Sequence, residues 1–239
     1  MFNIIHVTES KNKQLSLEKS DIWVIIPGYN EEKYIARVLK KTLEITRNIV
    51  VVDDGSQDQT ATIAQKIVPH VLQHQVNMGK GAAMKTGTEY AFQKLNAEAV
   101  IFMDADDQHN PLELLEFIKQ LKKGHSVIFG IRKFSEKDMP FHRFLGNKIA
   151  SALVSLLFHN YIPDIPSGFK AFTKDSYRKI RWKSQGYEVE MEIAVNVAKA
   201  RLPYTTVEIE TIYHDFDKGM NILDGLAVLF NLLKWRIGI

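Results

Sequence analysis

The feature that most constrains the fold is a regular alternation of short strand-like runs with longer stretches of helical spacing. The strand-like runs, most of them apolar throughout, cover residues 22–27, 48–52, 70–76, 99–104 and 126–130. Helical spacing of apolar residues covers residues 31–46, 58–68, 79–95 and 111–121. A strand that is apolar along its whole length is buried on both faces, and strands that alternate with helices build a mostly parallel sheet. The sequence therefore predicts an α/β fold with helices on both faces of a mostly parallel sheet.

Polar clusters follow three of the predicted strands at the point where each strand ends. They are Tyr29-Asn30-Glu31, Asp53-Asp54 and Asp104-Ala105-Asp106. In open parallel sheets, ligands bind outside the carboxyl ends of the strands, which lie at one edge of the sheet. The three clusters together predict a binding site at that edge.

Asp104 and Asp106 are the strongest candidates for a metal site. Side chains two residues apart at a strand end point the same way, so both carboxylates can meet one cation. Mg²⁺ and Mn²⁺ prefer oxygen ligands, and Mg²⁺ often takes only one or two carboxylates together with substrate phosphates. Gln108 and Asp107 are close enough to add an oxygen ligand or to orient one. The alternative for this segment is a solvated acidic loop that caps the next helix.

Two further segments admit both a structural and a binding role. The run Asp53-Asp54-Gly55-Ser56 is either a turn with a helix cap or a source of carboxylates that bind the base or ribose of a nucleotide. The run Asn77-Met78-Gly79-Lys80-Gly81 lacks the glycine spacing of a Walker A motif. It is either a helix start that needs glycines for close approach or a place where Lys80 meets a phosphate at a helix N-terminus.

Arg132 and Arg143 form a candidate phosphate clamp. Arg132 follows the predicted strand 126–130, and Arg143 begins a segment of helical spacing. Each alone is typical of a surface position. Two guanidinium groups together can hold a phosphate in bidentate fashion, so the pair predicts a second anion site.

Two apolar segments of helical spacing, 143–158 and 222–237, occupy the second half of the chain. The apolar face predicted for the first consists of Phe144, Leu145, Ile149, Ala152, Leu153, Leu156 and Leu157. Its predicted polar face consists of Arg143, Asn147, Lys148, Ser151 and Ser155. The second segment ends in Lys234-Trp235-Arg236, the aromatic and basic chemistry of a membrane interface. Both predict peripheral membrane contact, and the alternative is that both pack in the soluble core.

Composition and charge exclude several classes of protein. The chain has 239 residues and a net charge of +3, which is too small to predict nucleic-acid binding. The absence of cysteine excludes disulfides, thiolate metal sites and cysteine nucleophiles, and a cytoplasmic location is expected. Residues 1–20 form a polar extension without the apolar core of a signal peptide. No apolar run approaches the roughly 18 residues of a spanning helix, so we expect peripheral attachment at the cytoplasmic face of a membrane.

Four motifs in order carry a resemblance to a known family. They are residues 24–31 (VIIPGYNE), 51–56 (VVDDGS), 77–81 (NMGKG) and 104–109 (DADDQH). This series resembles the family-2 glycosyltransferases of the GT-A fold. The later motifs at 167–172 (SGFKAF) and 186–190 (GYEVE) resemble the branch that includes dolichol-phosphate mannose synthase and other polyprenyl-phosphate glycosyltransferases.

The resemblance covers residues 22–235. It implies one GT-A, Rossmann-like domain over residues 21–239 with C-terminal amphipathic helices. Residues 21–132 would form the nucleotide-sugar half, and residues 133–239 the acceptor half.

The resemblance also implies roles for individual residues. The donor would be held by Pro27, Tyr29, Glu31, Asp54, Lys80, Asp104, Ala105, Asp106, His214 and Lys218. The cation, Mg²⁺ or Mn²⁺, would be held by Asp104, Asp106 and Gln108. Arg132 and Arg143 would bind the acceptor phosphate, and catalysis would rest on Asp104, Asp106 and Arg132. The loop at 214–221 (HDFDKGMN) departs from the arginine and Gly-x-Ser-Lys pattern of such synthases, and Gly130-Ile131-Arg132 replaces Gly-Ser-Arg.

These features predict an inverting, metal-dependent glycosyltransferase that moves a hexose from a GDP-mannose or UDP-glucose type of donor to a polyprenyl or dolichyl phosphate. A phosphate acceptor is already anionic and needs positioning rather than a strong base. A saccharide or other soluble acceptor is the first alternative, and it would need Asp164, Glu190 or Glu192 as a base. A non-catalytic nucleotide-sugar binding protein is the second.

Two other enzyme classes match the sequence less well. A sugar nucleotidyltransferase would open with a glycine-rich loop where this chain has Pro27-Gly28-Tyr29. A dehydrogenase is not predicted, because no G-x-G-x-x-G follows a strand.

Overall fold

A computed structural model of the chain describes residues 21–132, 141–210, 232 and 234–236. The strands in these ranges are β1 (Ile22–Gly28), β2 (Ile49–Asp53), β3 (His70–Gln73), β4 (Ala99–Phe102), β5 (Val127–Arg132), β6 (Lys170–Thr173) and β7 (Thr205–Ile209). The helices are α1 (Ile35–Leu43), α2 (Thr60–Gln65), α3 (Lys80–Lys94), α4 (Leu114–Lys122), α5 (Phe141–Phe158), α6 (Lys174–Ile180) and α7 (Val189–Lys199). A 3-10 turn, Pro111–Glu113, leads into α4.

The described strands form one seven-stranded sheet in the order β3-β2-β1-β4-β6-β5-β7. All neighbouring pairs are parallel except those of β6, which runs antiparallel to β4 and to β5. Because β6 is reversed, its first residue, Lys170, lies opposite Phe102 at the end of β4. The segment that enters β6 therefore reaches the same edge as the carboxyl ends of the parallel strands.

Apolar side chains cover both faces of the sheet, as expected for a buried parallel sheet. Ile25 packs on one face with side chains of α3 and α7, whereas Val24 and Ile26 pack on the other with side chains of α1 and α4. The period of two along β1 sends successive residues to opposite faces. Both faces are buried, so almost every position of the strand must be apolar.

The structure confirms the α/β class and the mostly parallel sheet, with element boundaries shifted by a few residues. Strands β6 and β7 and helices α6 and α7 were not among the predicted elements. Of the predicted helix 222–237, only Leu232 and residues 234–236 lie within the described part of the chain, and they are helical. Leu232 is buried in the core, so this residue follows the core-packing alternative. The N-terminal extension 1–20 lies outside the described residues.

Helix α5 confirms the helix predicted at 143–158 and corrects the assignment of Ser151 to its polar face. Ser151, assigned to the polar face, is completely buried together with Val154. Ile149 and Leu156, assigned to the apolar face, are 50% and 73% exposed, so part of that face lies at the surface. Ser151 can be buried because its hydroxyl donates to the carbonyl oxygen of Pro163 over 3.3 Å. None of the helices in the described part of the chain combines the length and apolarity needed to cross a membrane.

Candidate active site

Lys80 joins two carboxylates at the carboxyl edge of the sheet. It is the first residue of α3, and its Nζ lies 2.8 Å from Asp104 Oδ1 and 2.8 Å from Glu190 Oε1. Asp104 follows the end of β4, and Glu190 is the second residue of α7. The ammonium therefore connects two segments of the first half of the chain with a helix from the second half.

Asp104 and Asp106 have opposite electrostatic environments. Burial favours the neutral form of Asp104, but the Lys80 ammonium outweighs it and lowers the pKa of this carboxyl to about 2. Burial, followed by the negative charge of Asp104, raises the pKa of Asp106 to about 6. The charge of Glu31 acts on Asp106 in the same direction. Two carboxylates that repel each other in this way fit a site for a divalent cation, which would relieve the repulsion.

The donor set also fits a hard cation. Asp104 and Asp106 supply oxygen atoms, and Gln108 lies next to them, with its backbone N–H donating to Asp106 Oδ1 over 3.0 Å. Among the described residues, no three His, Asp or Glu side chains converge as metal ligands. A cation held here would therefore need further oxygen ligands from outside these side chains, as Mg²⁺ commonly does.

Asp107, in the loop after Asp104 and Asp106, contacts α1. Its φ of 59° turns the chain into the left-handed region, which aspartate tolerates better than most residues. The buried carboxylate then lies 3.0 Å from Arg37 Nη1 and 3.2 Å from Lys41 Nζ. Asp107 thus anchors the loop after β4 to α1, and the prediction that it could ligate a cation or orient a ligand stays a prediction.

The segment that enters β6 packs directly against Asp104. A Cβ atom at Gly168 would overlap the Asp104 carboxylate, so only glycine fits there without movement. Phe169 stacks on His109 with ring centroids 5.1 Å apart, and burial lowers the pKa of His109 to about 4. The neutral imidazole can therefore accept a hydrogen bond from the Asp104 backbone N–H, with 3.4 Å between N and Nδ1.

Asp54 organises the loop before α3. Its buried carboxylate accepts hydrogen bonds from the backbone N–H groups of Met78 and Gly79 over 3.0 and 2.7 Å. Its Oδ1 also lies 2.7 Å from His74 Nδ1. This places Lys80 at the helix start. The predicted contact of Asp54 with a nucleoside stays a prediction, and the structure adds the loop-holding role.

The other predicted donor residues, which lie in β1 or shortly after β1 and β4, differ in accessibility. Tyr29 is exposed and Glu31 is half-buried at the edge. Pro27 and Ala105 are buried, and their predicted contact with the donor stays a prediction. His214 and Lys218 lie outside the described residues.

On the other side of β6, Arg132 binds Asp164. Nε of Arg132 donates to Asp164 Oδ2 over 2.9 Å, Nη2 donates to Oδ1 over 2.7 Å, and the backbone N–H of Arg132 donates to Oδ2 over 2.9 Å. Asn147 Nδ2 adds a fourth bond, 2.7 Å to Oδ1. Burial opposes ionisation of Asp164, but the hydrogen bonds and charge of Arg132 outweigh it and lower its pKa. The backbone of Arg143 belongs to α5, and its side chain lies outside the described residues, so the two-arginine clamp stays a prediction.

Lys170 lies at the same edge of the sheet, opposite Phe102 at the end of β4, and the sequence predicted no role for it. This lysine is completely buried at the start of β6, and its Nζ donates to the carbonyl oxygens of Ile165, over 3.1 Å, and of Ser167. Burial lowers its pKa to about 8. Its ammonium thereby ties down the segment that carries Gly168 against Asp104. Its burial could not be predicted from the sequence, because strands inside a sheet are recognised by their apolar residues.

These features bring carboxylates and two lysines together at the carboxyl edge of a Rossmann-like sheet, and comparison with known proteins gives the family. The family model described as "Glycosyl transferase family 2" matches residues 23–181. The chain therefore belongs to glycosyl transferase family 2.

Two similar proteins have dolichyl or dolichol phosphate in their names. The UDP-N-acetylglucosamine–dolichyl-phosphate N-acetylglucosaminyltransferase of Methanococcus voltae is 30% identical over 91% of this chain and 96% of its own length. The dolichol-phosphate mannosyltransferase of Pyrococcus furiosus is 28% identical over 89% of this chain and 64% of its own length.

Among solved structures, the glucosyl-3-phosphoglycerate synthase of Mycobacterium tuberculosis superposes with a TM-score of 0.72 at 18% identity, over 98% of this chain and 83% of that chain. That structure contains Mn²⁺, UDP and phosphoglyceric acid. At this identity the likeness extends to the fold alone.

Proposed function

We propose that this glycosyltransferase moves a hexose from a nucleotide-sugar donor of the GDP-mannose or UDP-glucose type to a polyprenyl or dolichyl phosphate. The names of the relatives in Methanococcus voltae and Pyrococcus furiosus support a lipid-phosphate acceptor. The observation that carries the proposal lies in the chain itself. Each of the three carboxylates that could serve as a base for a hydroxyl acceptor is already engaged by the protein.

The engaged carboxylates are Asp164, Glu190 and Glu192. Asp164 is held by Arg132, and Glu190 is held by Lys80. Glu192 accepts from the backbone N–H groups of Lys183, over 3.0 and 3.1 Å, and of Ser184, over 2.7 Å. A carboxylate that already accepts hydrogen bonds from charged or backbone donors is a weaker base than one without such partners. A hydroxyl acceptor needs a base within reach of its proton. A phosphate monoester, ionised near neutral pH, does not, and this favours the phosphate acceptor over a saccharide.

In the proposed reaction, an oxygen of the acceptor phosphate attacks the anomeric carbon of the donor sugar. The bond from that carbon to the donor diphosphate breaks, the nucleoside diphosphate leaves with the electron pair, and the configuration at carbon inverts. The acceptor needs no deprotonation, so the contribution of the protein is positioning and charge. Arg132, held in one orientation by Asp164, would bind the acceptor phosphate, with Arg143 as its proposed partner.

The donor diphosphate would bind at Asp104 and Asp106 through a divalent cation, Mg²⁺ or Mn²⁺, with Gln108 beside it. When bound, such a cation neutralises charge that builds up on the leaving diphosphate. Lys80, at the N-terminus of α3, lies where its ammonium can add to that neutralisation. Tyr29 and Glu31, which remain accessible at the end of β1, would contact the nucleoside.

The lipid part of the acceptor requires an apolar surface outside the site. Ile149 and Leu156 on α5 are exposed, and residues seven apart lie on the same side of a helix. Asn147, on the same helix, binds Asp164, so α5 carries both these exposed side chains and a contact to the proposed acceptor site. We propose that α5 makes peripheral contact with the cytoplasmic face of a membrane.

The test is transfer of labelled sugar from a panel of nucleotide sugars to a short polyprenyl phosphate, with Mg²⁺ or Mn²⁺ or with chelator. The proposal expects a lipid-linked product that depends on the cation and has the inverted anomeric configuration. Donor hydrolysis without lipid product would contradict the acceptor and favour a soluble one. A complete lack of donor turnover under all conditions would favour a nucleotide-sugar binding protein.

A further inference from the structure

The Lys80 ammonium lies where it must affect binding of a cation to Asp104. Its Nζ is 2.8 Å from Asp104 Oδ1, and the Lys80 side chain is only 16% exposed. At this distance in a mostly buried site, the ammonium neutralises much of the charge of the carboxylate. A divalent cation on the same carboxylate would face a like charge within a few ångströms, and this repulsion is strong where water is scarce. Lys80 and the cation are therefore competitors for Asp104.

Glu190 offers Lys80 a second partner that does not depend on Asp104. Its Oε1 lies 2.8 Å from Lys80 Nζ, and the Glu190 side chain is 9% exposed. With Glu190 in place, the ammonium can leave Asp104 and still keep a charged hydrogen bond. Without Glu190, a departing Lys80 would be a poorly solvated, unpaired cation, which is costly in a buried site.

The backbone around this pair is held together tightly. Gly81 O accepts a hydrogen bond from Trp182 Nε1 over 2.8 Å, and Ala82 N–H donates to Gln185 O over 3.2 Å. A Cβ atom at Gly79 would lie 2.5 Å from Gln185 O. The start of α3 is thus fixed against the segment that leads into α7. Lys80 and Glu190 stay neighbours through rigid contacts rather than through their own ion pair alone.

We propose that Lys80 occupies Asp104 in the metal-free enzyme as a built-in competitor of the divalent cation, and that Glu190 is the positioning residue that receives Lys80 when the cation binds. The exchange leaves the ammonium beside the cation, where it can meet the donor diphosphate. This inference rests on the proposed metal role of Asp104 and Asp106. It adds that metal affinity in the absence of donor is weakened by Lys80 and is tuned by Glu190.

The competition makes predictions of opposite sign for the two residues. The site can bind a cation only in the fraction of molecules in which Lys80 has left Asp104, so the apparent affinity is reduced by that fraction. K80M removes the competitor and should tighten cation binding. E190Q removes the alternative partner and should weaken it. Once Lys80 is absent, E190Q should have no further effect.

The experiment is titration of the donor-free, full-length chain with Mn²⁺, with free Mn²⁺ measured by electron paramagnetic resonance. The variants are K80M, E190Q and the double variant, and K85M is the matched control because Lys85 is an exposed lysine on the same helix. We expect K80M to lower the apparent Kd for Mn²⁺ by about fivefold or more, the lower range of coupling between linked sites. E190Q should raise the Kd, the double variant should match K80M, and K85M should match the wild type. Circular dichroism of each variant checks that the fold is kept.

Several outcomes would overturn the inference. An unchanged or weaker affinity in K80M would mean that Lys80 does not compete with the cation. A gain in K80M that disappears in the double variant would mean that Glu190 is itself a metal ligand. If neither the wild type nor K80M binds Mn²⁺, the metal site of the proposed function fails as well. If the wild type binds Mn²⁺ and K80M does not bind it more tightly, only the present inference fails.

Discussion

The guanidinium of Arg132 binds the carboxylate of Asp164 through two parallel hydrogen bonds, 2.9 Å from Nε to Oδ2 and 2.7 Å from Nη2 to Oδ1. Asp164 is 3% exposed, so it cannot itself meet a bulky acceptor. This geometry makes Asp164 a positioning residue that fixes Arg132, because a bidentate pair sets the plane of the guanidinium as well as its place.

We therefore expect D164N to impair use of the acceptor. The NH₂ group of the asparagine would face an N–H group of Arg132, so one of the two parallel hydrogen bonds would be lost. The guanidinium would then no longer be held in one plane. The loss in kcat/KM for polyprenyl phosphate should be about 10- to 100-fold, the range seen when a hydrogen-bond partner that orients a metal ligand is removed. The KM for the donor in metal-dependent donor hydrolysis should stay unchanged.

D175N provides the matched control, because Asp175 forms an exposed ion pair with Arg178, 2.9 Å apart. It should have no effect on either substrate. In an R132Q background, D164N should cost little more than R132Q alone. A full additional loss in that background would mean that Asp164 acts independently of Arg132.

Gly168 gives a second prediction, because a methyl group there would overlap the Asp104 carboxylate. In G168A, either Asp104 or the entry to β6 must move. We expect weaker Mn²⁺ binding, measured by calorimetry, and a corresponding fall in sugar transfer while the fold is kept. G146A is the matched control, since nothing lies within 4 Å of a Cβ added at Gly146. Equal Mn²⁺ affinity in G168A and the wild type would show that Asp104 is not a metal ligand or tolerates the shift.

The fold of residues 21–132 could largely be predicted from the sequence. Strands β1, β2 and β4 are apolar at nearly every position because both faces of the sheet are covered, and this pattern identifies them directly. Polar residues after them, such as Asp104 and Asp106, then fall at one edge by the geometry of parallel strands.

The partners of these residues could not be predicted in the same way. Lys80 is 110 positions from Glu190 in the chain, and their contact depends on how α3 and α7 pack. Strand β6 is short and begins with Lys170, whose burial is possible only because two carbonyl oxygens accept from its ammonium. The assignment of Ser151 to the polar face of α5 was wrong because apolar residues surround much of that helix, so spacing alone did not identify the buried side. Ser151 can be buried because its hydroxyl donates a hydrogen bond to the carbonyl oxygen of Pro163, a contact that spacing does not predict.

The buried Lys170 predicts a pH dependence of stability. Its pKa is lowered from 10.5 to about 8 by burial, so the folded protein releases this proton at lower pH than the unfolded chain does. Between these two values the unfolded chain binds more protons, and the free energy of unfolding gains a term that rises with pH. Below pH 8 the residue is charged in both states, and the cost of its burial is present in full.

Comparison with K170M isolates this term. The variant lacks the titrating group, while the other ionisable groups are common to both proteins. The difference in free energy of unfolding, wild type minus K170M, should increase from pH 8 to pH 10 in urea titrations and be constant from pH 6 to pH 7. A difference that stays constant up to pH 10 would show that Lys170 keeps its proton in the folded protein.

The exposed apolar side of α5 predicts binding to lipid vesicles. Ile149 and Leu156 are 50% and 73% exposed, and insertion of such side chains into a bilayer interface is favourable in proportion to the apolar area that leaves water. I149S/L156S should therefore reduce cosedimentation with vesicles that contain anionic lipid and raise the KM for a long-chain polyprenyl phosphate. Because both side chains already contact solvent, thermal stability should change little. L112S is the matched control, since Leu112 is 60% exposed on the turn that leads to the opposite face of the sheet. Equal loss of binding in L112S, or unchanged binding in I149S/L156S, would place the membrane contact elsewhere on the molecule.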